Sequence, residues 1–315
     1  MKPDNRKVIL PVLFVIVLSF LLCGNAFAYQ NMRNNTCQCD SCDDCTKALN
    51  DNMNCSVLVK LNTSITNQTG VCINNPENFT NKIFDCQGHT IEGKNTGIST
   101  SEIYSIILSN KQNNTIKNCI ISSFYGGIYL IQSSGNTLTN NTMHSNDVGI
   151  RLYGNSNFND ITYSKIFNNT KTGILTDNCA CVGFTCTGPT GEKGYTCYCT
   201  SFNCSNENGN SNNTIANNEI SKNKIGIYSN ASNSEINNNY VCGNTQSDFN
   251  SSDYWLSSVG DNNTCDKPDG WNDTGTTGCT YTCINCTSYN LDNNTAIDIF
   301  DVVAGLEYLS EGKEI

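Results

Sequence analysis

Between residues 113 and 244 the chain writes one phrase four times: NTIKNCIISSFYGGIYL at Asn114–Leu130, NTLTNNTMHSNDVGIRL at Asn136–Leu152, NDITYSKIFNNTKTGIL at Asn159–Leu175 and NTIANNEISKNKIGIYS at Asn213–Ser229. A shortened echo, SEINNNYVCGN, follows at Ser234–Asn244. An apolar residue recurs at Ile116, Leu138, Ile161, Ile215 and Ile236, and another five positions later at Ile121, Met143, Ile166, Ile220 and Val241. Gly127, Gly149, Gly173 and Gly226 are each followed by isoleucine, at Ile128, Ile150, Ile174 and Ile227. The units lie 22, 23 and, beyond an insertion, 21 residues apart. Such a period marks a solenoid, in which each turn buries its apolar face only against its neighbours.

The units are too short for helix pairs and nearly lack strong helix formers. Thr, Ile, Tyr and Val supply strands, while Asn and Gly supply bends because both tolerate left-handed backbone. Two apolar residues five apart break a strand's period of two, so a bend lies between them. Asn118, Asn140, Asn141, Asn217, Asn218, Asn238 and Asn239 occupy that interval. The expected fold is all-β: a right-handed parallel β-helix of six or seven coils, about three short strands per coil, with aligned asparagines bonded along the stack.

The rest of the chain is organised around this rod. Lys2, Arg6 and Lys7 precede an apolar run, Val8–Cys23, and Ala26-Phe27-Ala28 is a small-residue cleavage pattern. Residues 1–28 therefore read as a signal peptide, with an uncleaved membrane anchor as the alternative. Residues 29–80 read as a Cys-rich N-terminal cap and 81–249 as the β-helix, with a Cys-rich insertion at 179–210. Residues 250–288 read as a second cap or linker, and 289–315 as a calcium loop and amphipathic helix. The formal charge is −10, from 18 Lys and Arg against 28 Asp and Glu. Removing Lys2, Arg6, Lys7 and Asp4 with the leader takes it to −12, which excludes nucleic acid as a partner.

Nineteen of the 20 cysteines lie beyond the leader. In an exported chain they read as disulfides in an oxidising compartment, secreted or at the cell surface. Cys37, Cys39, Cys42 and Cys45 form a dense cluster with Cys55 and Cys72 as partners, and zinc or copper ligation is the alternative. Cys86 follows Ile83 as Cys119 follows Ile116, which stacks the two cysteines in neighbouring coils at bonding distance. The insertion repeats one spacing, Cys179-x-Cys181-x4-Cys186 and Cys197-x-Cys199-x4-Cys204, about a Gly/Pro-rich turn. That reads as a disulfide-stapled hairpin, with a metal site as the alternative. Fifty-two asparagines and 16 Asn-x-Ser/Thr sequons make the chain a candidate glycoprotein.

Three sets of residues are candidates for function. Two positions after the repeat glycines stand Tyr129, Arg151, Leu175 and Tyr228, on the face opposite the inward isoleucines. A Tyr129–Arg151–Tyr228 column can stack on sugar rings and points to extracellular glycans, or another surface protein, as partner. His144, Asp147 and Arg151 share a coil and are the nearest approach to a catalytic constellation, with Asp85 and Glu92 near His89 in another. NLDNNTAIDIFD sets Asn290, Asp292, Asn294, Asp298 and Asp301 at positions 1, 3, 5, 9 and 12 of a loop, with the Ala296 carbonyl at position 7, as Ca²⁺ requires.

The repeats resemble the right-handed β-helix regions grouped with the NosD periplasmic copper-binding protein and with carbohydrate-binding and sugar-hydrolase modules. The segments NCSVLVKL, FDCQGHTIEG and NNTIKNC resemble exported surface proteins, mostly archaeal. The tail resembles one half of a dockerin, a two-loop module. The NosD resemblance implies copper, yet beyond the leader the histidines are His89 and His144 and the methionines Met32, Met53 and Met143, with Met143 at a core position. The expected function is non-catalytic: adhesion, envelope structure or glycan binding. A polysaccharide lyase or glycoside hydrolase is the alternative, and NosD-like metal binding the second.

Overall fold

In the computed structural model the described residues are 29–94, 103–176, 210–251, 255 and 257–283, together with the backbone of 177, 180–187 and 196–203. The chain winds as a right-handed parallel β-helix of about eight turns. Each regular turn contributes one strand to each of three sheets. Sheet A runs from Gln30–Asn31 to Glu235–Asn237, sheet B from Ile65–Gln68 to Tyr240–Cys242, and sheet C from Ile73–Asn74 to Ser247–Asn250. Parallel pairing already joins Thr36–Cys39 to Leu58–Leu61, within the segment read as a cap. It persists past sheet C as single bridges at Val259, Thr264 and Tyr281.

Register explains the apolar period. Phe84, Ile116, Leu138, Ile161, Ile215 and Ile236 stack in sheet A, and Ile91, Ile121, Met143, Ile166, Ile220 and Val241 in sheet B. Ile106, Ile128, Ile150, Ile174, Ile227 and Phe249 stack in sheet C. All are buried and form one continuous core.

Each edge of this three-sided rod bends through a pair of residues with separate tasks. The first is left-handed, as at Asn118, Asn140, Asn217 and Asn238, whose φ values lie between 53° and 58°. The second points inward and bonds to its counterpart one coil on. On the C–A edge Asn114, Asn136 and Asn159 each donate their backbone N–H and Nδ2 to the Oδ1 of Asn136, Asn159 and Asn213, at 2.9–3.2 Å. The backbone N–H link continues on the A–B edge through Asn141, Ser164 (accepting by its Oγ), Asn218, Asn239 and Asn263, and on the B–C edge through Asn146, Asn169, Asn223 and Asn244. At the start of the A–B ladder the inward position is taken by cysteine. Cys86 and Cys119 are bonded there with Cα atoms 4.7 Å apart, and the Cys119 N–H donates to Asn141.

The backbone donors make the ladders directional, since each N–H points to the side chain of the next coil toward the C-terminal end, while Nδ2 groups also reach back to a carbonyl of the preceding coil. Two of them end on a buried carboxylate. Asn244 donates to Asp248, and Asn263 donates to Asp273 through both its N–H (2.8 Å) and Nδ2 (2.6 Å). The third ends at Asn213, where Ser234 follows, and the Asn213 Nδ2 has no hydrogen-bond partner among the described residues. Burial favours the neutral form of Asp273, but hydrogen bonds from Asn263, Thr280 and Trp271 outweigh it and hold the carboxyl below the usual carboxylate range.

The repeat glycines correct one expectation. Gly127, Gly149, Gly173 and Gly226 lie within or beside sheet C without a left-handed φ, so bending is not their task. A Cβ on Gly149 would stand 2.6 Å from the Gly173 carbonyl oxygen and 2.6 Å from Ile166, so the column keeps only glycine because the coils approach too closely.

Both ends are plugged. Phe249, Trp255 and Trp271 pack ring on ring at the C-terminal end, with Phe249 and Trp271 stacked at 5.4 Å. At the N-terminal end the cysteine cluster forms a helix, α1 (Cys42–Asn50), that the Cys density had concealed. Ser41 caps it by accepting from the Asp44 N–H, and Cys45, Ala48 and Leu49 are buried. Lys82, 2% exposed, donates to the carbonyls of Leu49 and Asp51 at the helix C-terminus, where a cation opposes the helix dipole. Tyr29 donates to Asp51 (2.5 Å), and burial together with that bond pushes its phenol up to about 12.

Candidate functional site

The outer face of sheet C carries a contiguous aromatic and cationic surface. By register Ile107, Tyr129, Arg151, Leu175, Tyr228 and Asn250 follow one another coil by coil, so the expected Tyr129–Arg151–Tyr228 column exists in space. The structure divides it. Tyr129 and Arg151 belong to one cluster, while Tyr228 lies beyond Leu175, with its hydroxyl accepting from Asn230 Nδ2 at 3.2 Å.

Three tyrosines absent from the sequence reading complete the cluster. Tyr104 stacks on Tyr129 with ring centroids 4.5 Å apart, Tyr125 meets Tyr104 edge-on at 5.4 Å, and Tyr153 meets Tyr129 at 6.1 Å. The Arg151 guanidinium lies 5.1 Å from the Tyr129 ring and 5.2 Å from that of Tyr153, and donates to the Tyr104 hydroxyl at 3.2 Å. Lys171 stands 4.7 Å over Tyr125 and pairs with Asp147 at 3.0 Å. The sequence signal for Tyr104 was Gly126, which stands where later coils have Val148, Thr172 and Ile225. A Cβ there would meet the Tyr104 ring at 2.1 Å, so the glycine leaves room for the ring to lie across the sheet. Tyr129 and Arg151 are half-buried, and Tyr104 is buried.

His144, Asp147 and Arg151 face different neighbours. His144 is on sheet B, stacked on Phe167 at 5.2 Å and bonded to Ser145. Asp147 sits in the B–C bend with Lys171 and Thr170, and Arg151 lies among the tyrosines of sheet C. In the other candidate coil Asp85 bonds Lys117, Gln87 and Asn118, and Glu92 belongs to the sheet B strand Thr90–Gly93. Among the described residues no three or more His, Cys, Asp or Glu side chains gather as a metal site.

Six disulfides join described cysteines: Cys37–Cys55, Cys39–Cys45, Cys42–Cys72, Cys86–Cys119, Cys242–Cys283 and Cys265–Cys279. In this bonded form the N-terminal cluster presents no thiolate to zinc or copper. The insertion forms two antiparallel strands, Ala180–Thr187 and Thr196–Asn203, with Cys186 opposite Cys197. The side chains of Cys181, Cys186, Cys197 and Cys199, and the residues Cys179 and Cys204, lie outside the described residues, as does the whole loop Asn290–Asp301 read for calcium. Among the described residues no helix is long and apolar enough to cross a membrane.

The family described as "Right handed beta helix region" matches residues 81–205. Comparison with curated protein sequences gives no significant match. Among solved structures the chain is similar to an alginate lyase from Paenibacillus sp. str. FPU-7, at 16% identity and a TM-score of 0.47 over 73% of this chain and 75% of that one. It is also similar to the Dettilon tailspike protein, at 17% identity and a TM-score of 0.34 over 71% and 56%. A third is the A-module of a mannuronan C-5 epimerase from Azotobacter vinelandii, at 12% identity and a TM-score of 0.30 over 72% and 80%. Likeness at this level carries no activity across to this chain.

Proposed function

We propose that this chain is an exported, non-catalytic glycan-binding β-helix whose contact surface is the outer face of sheet C. The observation that carries the reading is the Tyr125–Tyr129–Arg151–Tyr153 surface. Aromatic rings offer flat apolar faces to the C–H faces of sugars, and a guanidinium held between rings offers fixed donors to hydroxyls or carboxylates. The disulfides belong to an oxidising compartment, which agrees with export.

Tyr129→Ala and Arg151→Ala are each expected to weaken binding of the best ligand from a glycan array by about tenfold, the value of one well-placed aromatic or charged contact. Asp160→Ser, exposed on sheet A, should leave it unchanged. Binding indifferent to both sheet C changes would place the glycan elsewhere.

A further inference from the structure

The A–B edge carries side chains that neither the core nor the sheet C cluster uses. Its left-handed bend residue is asparagine at 118, 140, 217, 238 and 262, but tyrosine at 163, with φ 52°. A bulky residue is strained in that conformation where asparagine is tolerated, and Tyr163 is 64% exposed, so burial does not offset the strain. Beside the bend, on the outer face of sheet B, Lys165, Glu219, Tyr240, Thr264 and Tyr281 follow one another coil by coil. Tyr240 is 39% and Tyr281 55% exposed. Three exposed tyrosines thus stand at alternate coils, about 10 Å apart along the axis from two inter-strand steps. Beside them lies a shallow depression of about 570 Å³ lined by Asn217, Asn218, Glu219, Asn238 and Tyr240.

The spacing and chemistry identify the occupant. In an extended β-1,4-linked polysaccharide successive sugars are turned over, so alternate sugars present the same face at about the length of a disaccharide. Charge selects among such chains. Lys165 is taken up by Glu219 at 3.0 Å, and Asp261, whose carbonyl accepts the Asn238 N–H, adds negative charge beside the depression. A polyanion is repelled there, while neutral hydroxyls find amides and a carboxylate.

We propose that the A–B edge binds a neutral, extended β-1,4-linked polysaccharide running along the rod axis. Alternate sugars stack on Tyr163, Tyr240 and Tyr281, and hydroxyls bond Asn217, Asn238 and Glu219. This deepens the glycan-binding reading by naming a ligand class, and it uses a surface separate from sheet C.

The test is calorimetry of the full chain with cello-, manno- and xylo-oligosaccharides of two to six sugars. A hexasaccharide from at least one series is expected to bind more than about tenfold tighter than its disaccharide, since only the longer chain reaches a second and third tyrosine. Tyr240→Ala should weaken the hexasaccharide about three- to tenfold. Tyr163→Asn should weaken it similarly while raising the thermal midpoint, because asparagine relaxes the bend; a tyrosine kept for structure alone would not give that pairing. No chain-length dependence, or a Tyr163/Tyr240/Tyr281 triple alanine variant that binds normally, overturns the inference. Glycan binding that survives the triple change but is lost in Arg151→Ala overturns this inference and leaves the sheet C reading standing. No glycan binding by the unaltered chain removes both.

Discussion

Replacing Asn159 with leucine is expected to lower the unfolding free energy by about 3–5 kcal/mol, far beyond an ordinary surface change. The side chains are similar in size, so little cavity or clash contributes. The cost comes from polar groups stranded inside the rod. Asn159 Oδ1 accepts from both the N–H and Nδ2 of Asn136, at 2.9 and 3.1 Å, and Asn159 Nδ2 donates to the Ser133 carbonyl at 2.9 Å. Leucine strands the Asn136 N–H and the Ser133 carbonyl away from water, at about 1–3 kcal/mol each, while Asn136 Nδ2 keeps the Lys111 and Ser134 carbonyls. Asp160→Ser, one residue on and exposed, is the control and should move stability by less than about 0.5 kcal/mol. Denaturant unfolding with the disulfides intact checks both. An Asn159→Leu midpoint close to the unaltered protein's would mean that the ladders are bystanders to apolar stacking.

The second large effect concerns the end of the A–B ladder. Asp273 is 2% exposed and accepts five hydrogen bonds: from Asn263 N–H and Nδ2, Thr280 N–H and Oγ1, and Trp271 Nε1. Aligned amide donors leave partial positive charge at the terminus they point to, and a carboxylate neutralises it, as acidic residues do at helix N-termini. Asp273→Asn puts an amide among donors and should cost about 3–5 kcal/mol.

The same carboxylate sets an acid limit. Its pKa in the folded chain is held below the unfolded value of about 3.9, so its contribution is fully present above that pH and is lost as pH falls through the folded value. Asp51 at the opposite end adds to this. Burial raises its pKa, but bonds from Tyr29, Asn54 and Met53 win and lower it. Stability should therefore decline below about pH 4, and the decline should be shallower in Asp273→Asn. Midpoints measured from pH 7 down to pH 2 check this, and identical slopes in the two proteins would remove Asp273 from the account.

The β-helix was legible because its period is a packing constraint that each coil must satisfy separately. Ile116 to Ile236 announce one inward column, and the asparagines between the two apolar columns announce the bend. The paired roles within a bend were less visible, since both are played by the same residue type. Asn140 is left-handed and exposed while Asn141 is inward and buried, and only the structure separates them. That pairing gives the sequons a structural origin. Asn113-Asn114-Thr115, Asn140-Asn141-Thr142, Asn168-Asn169-Thr170, Asn212-Asn213-Thr214 and Asn262-Asn263-Thr264 each place an exposed left-handed asparagine before a buried ladder asparagine and a threonine.

Where a local signal competed with the period, reading from sequence fell short. Cysteine spacing hid α1, whose helical face is visible only through Cys45, Ala48 and Leu49 together. The glycine column looked like a set of bends because glycine serves both open backbone and close approach. Asp248 keeps the register but stands where earlier coils have the repeat glycine, and Asp273 lies beyond the last paired strand, so nothing in their spacing marks them as ladder ends. The sheet C cluster was half legible. Tyr129 and Arg151 follow from alternation, whereas Tyr104 and Tyr153 reach them from other positions on the sheet face.

The central functional claim is binding without turnover. The direct measurement is long incubation of the full chain with the polysaccharides it binds most tightly, following both bound fraction and products by reducing-end and unsaturated-product detection. The account expects saturable binding with neither product. Sustained product formation that is lost on changing His144, Asp147 or Arg151 would contradict it and make the chain an enzyme.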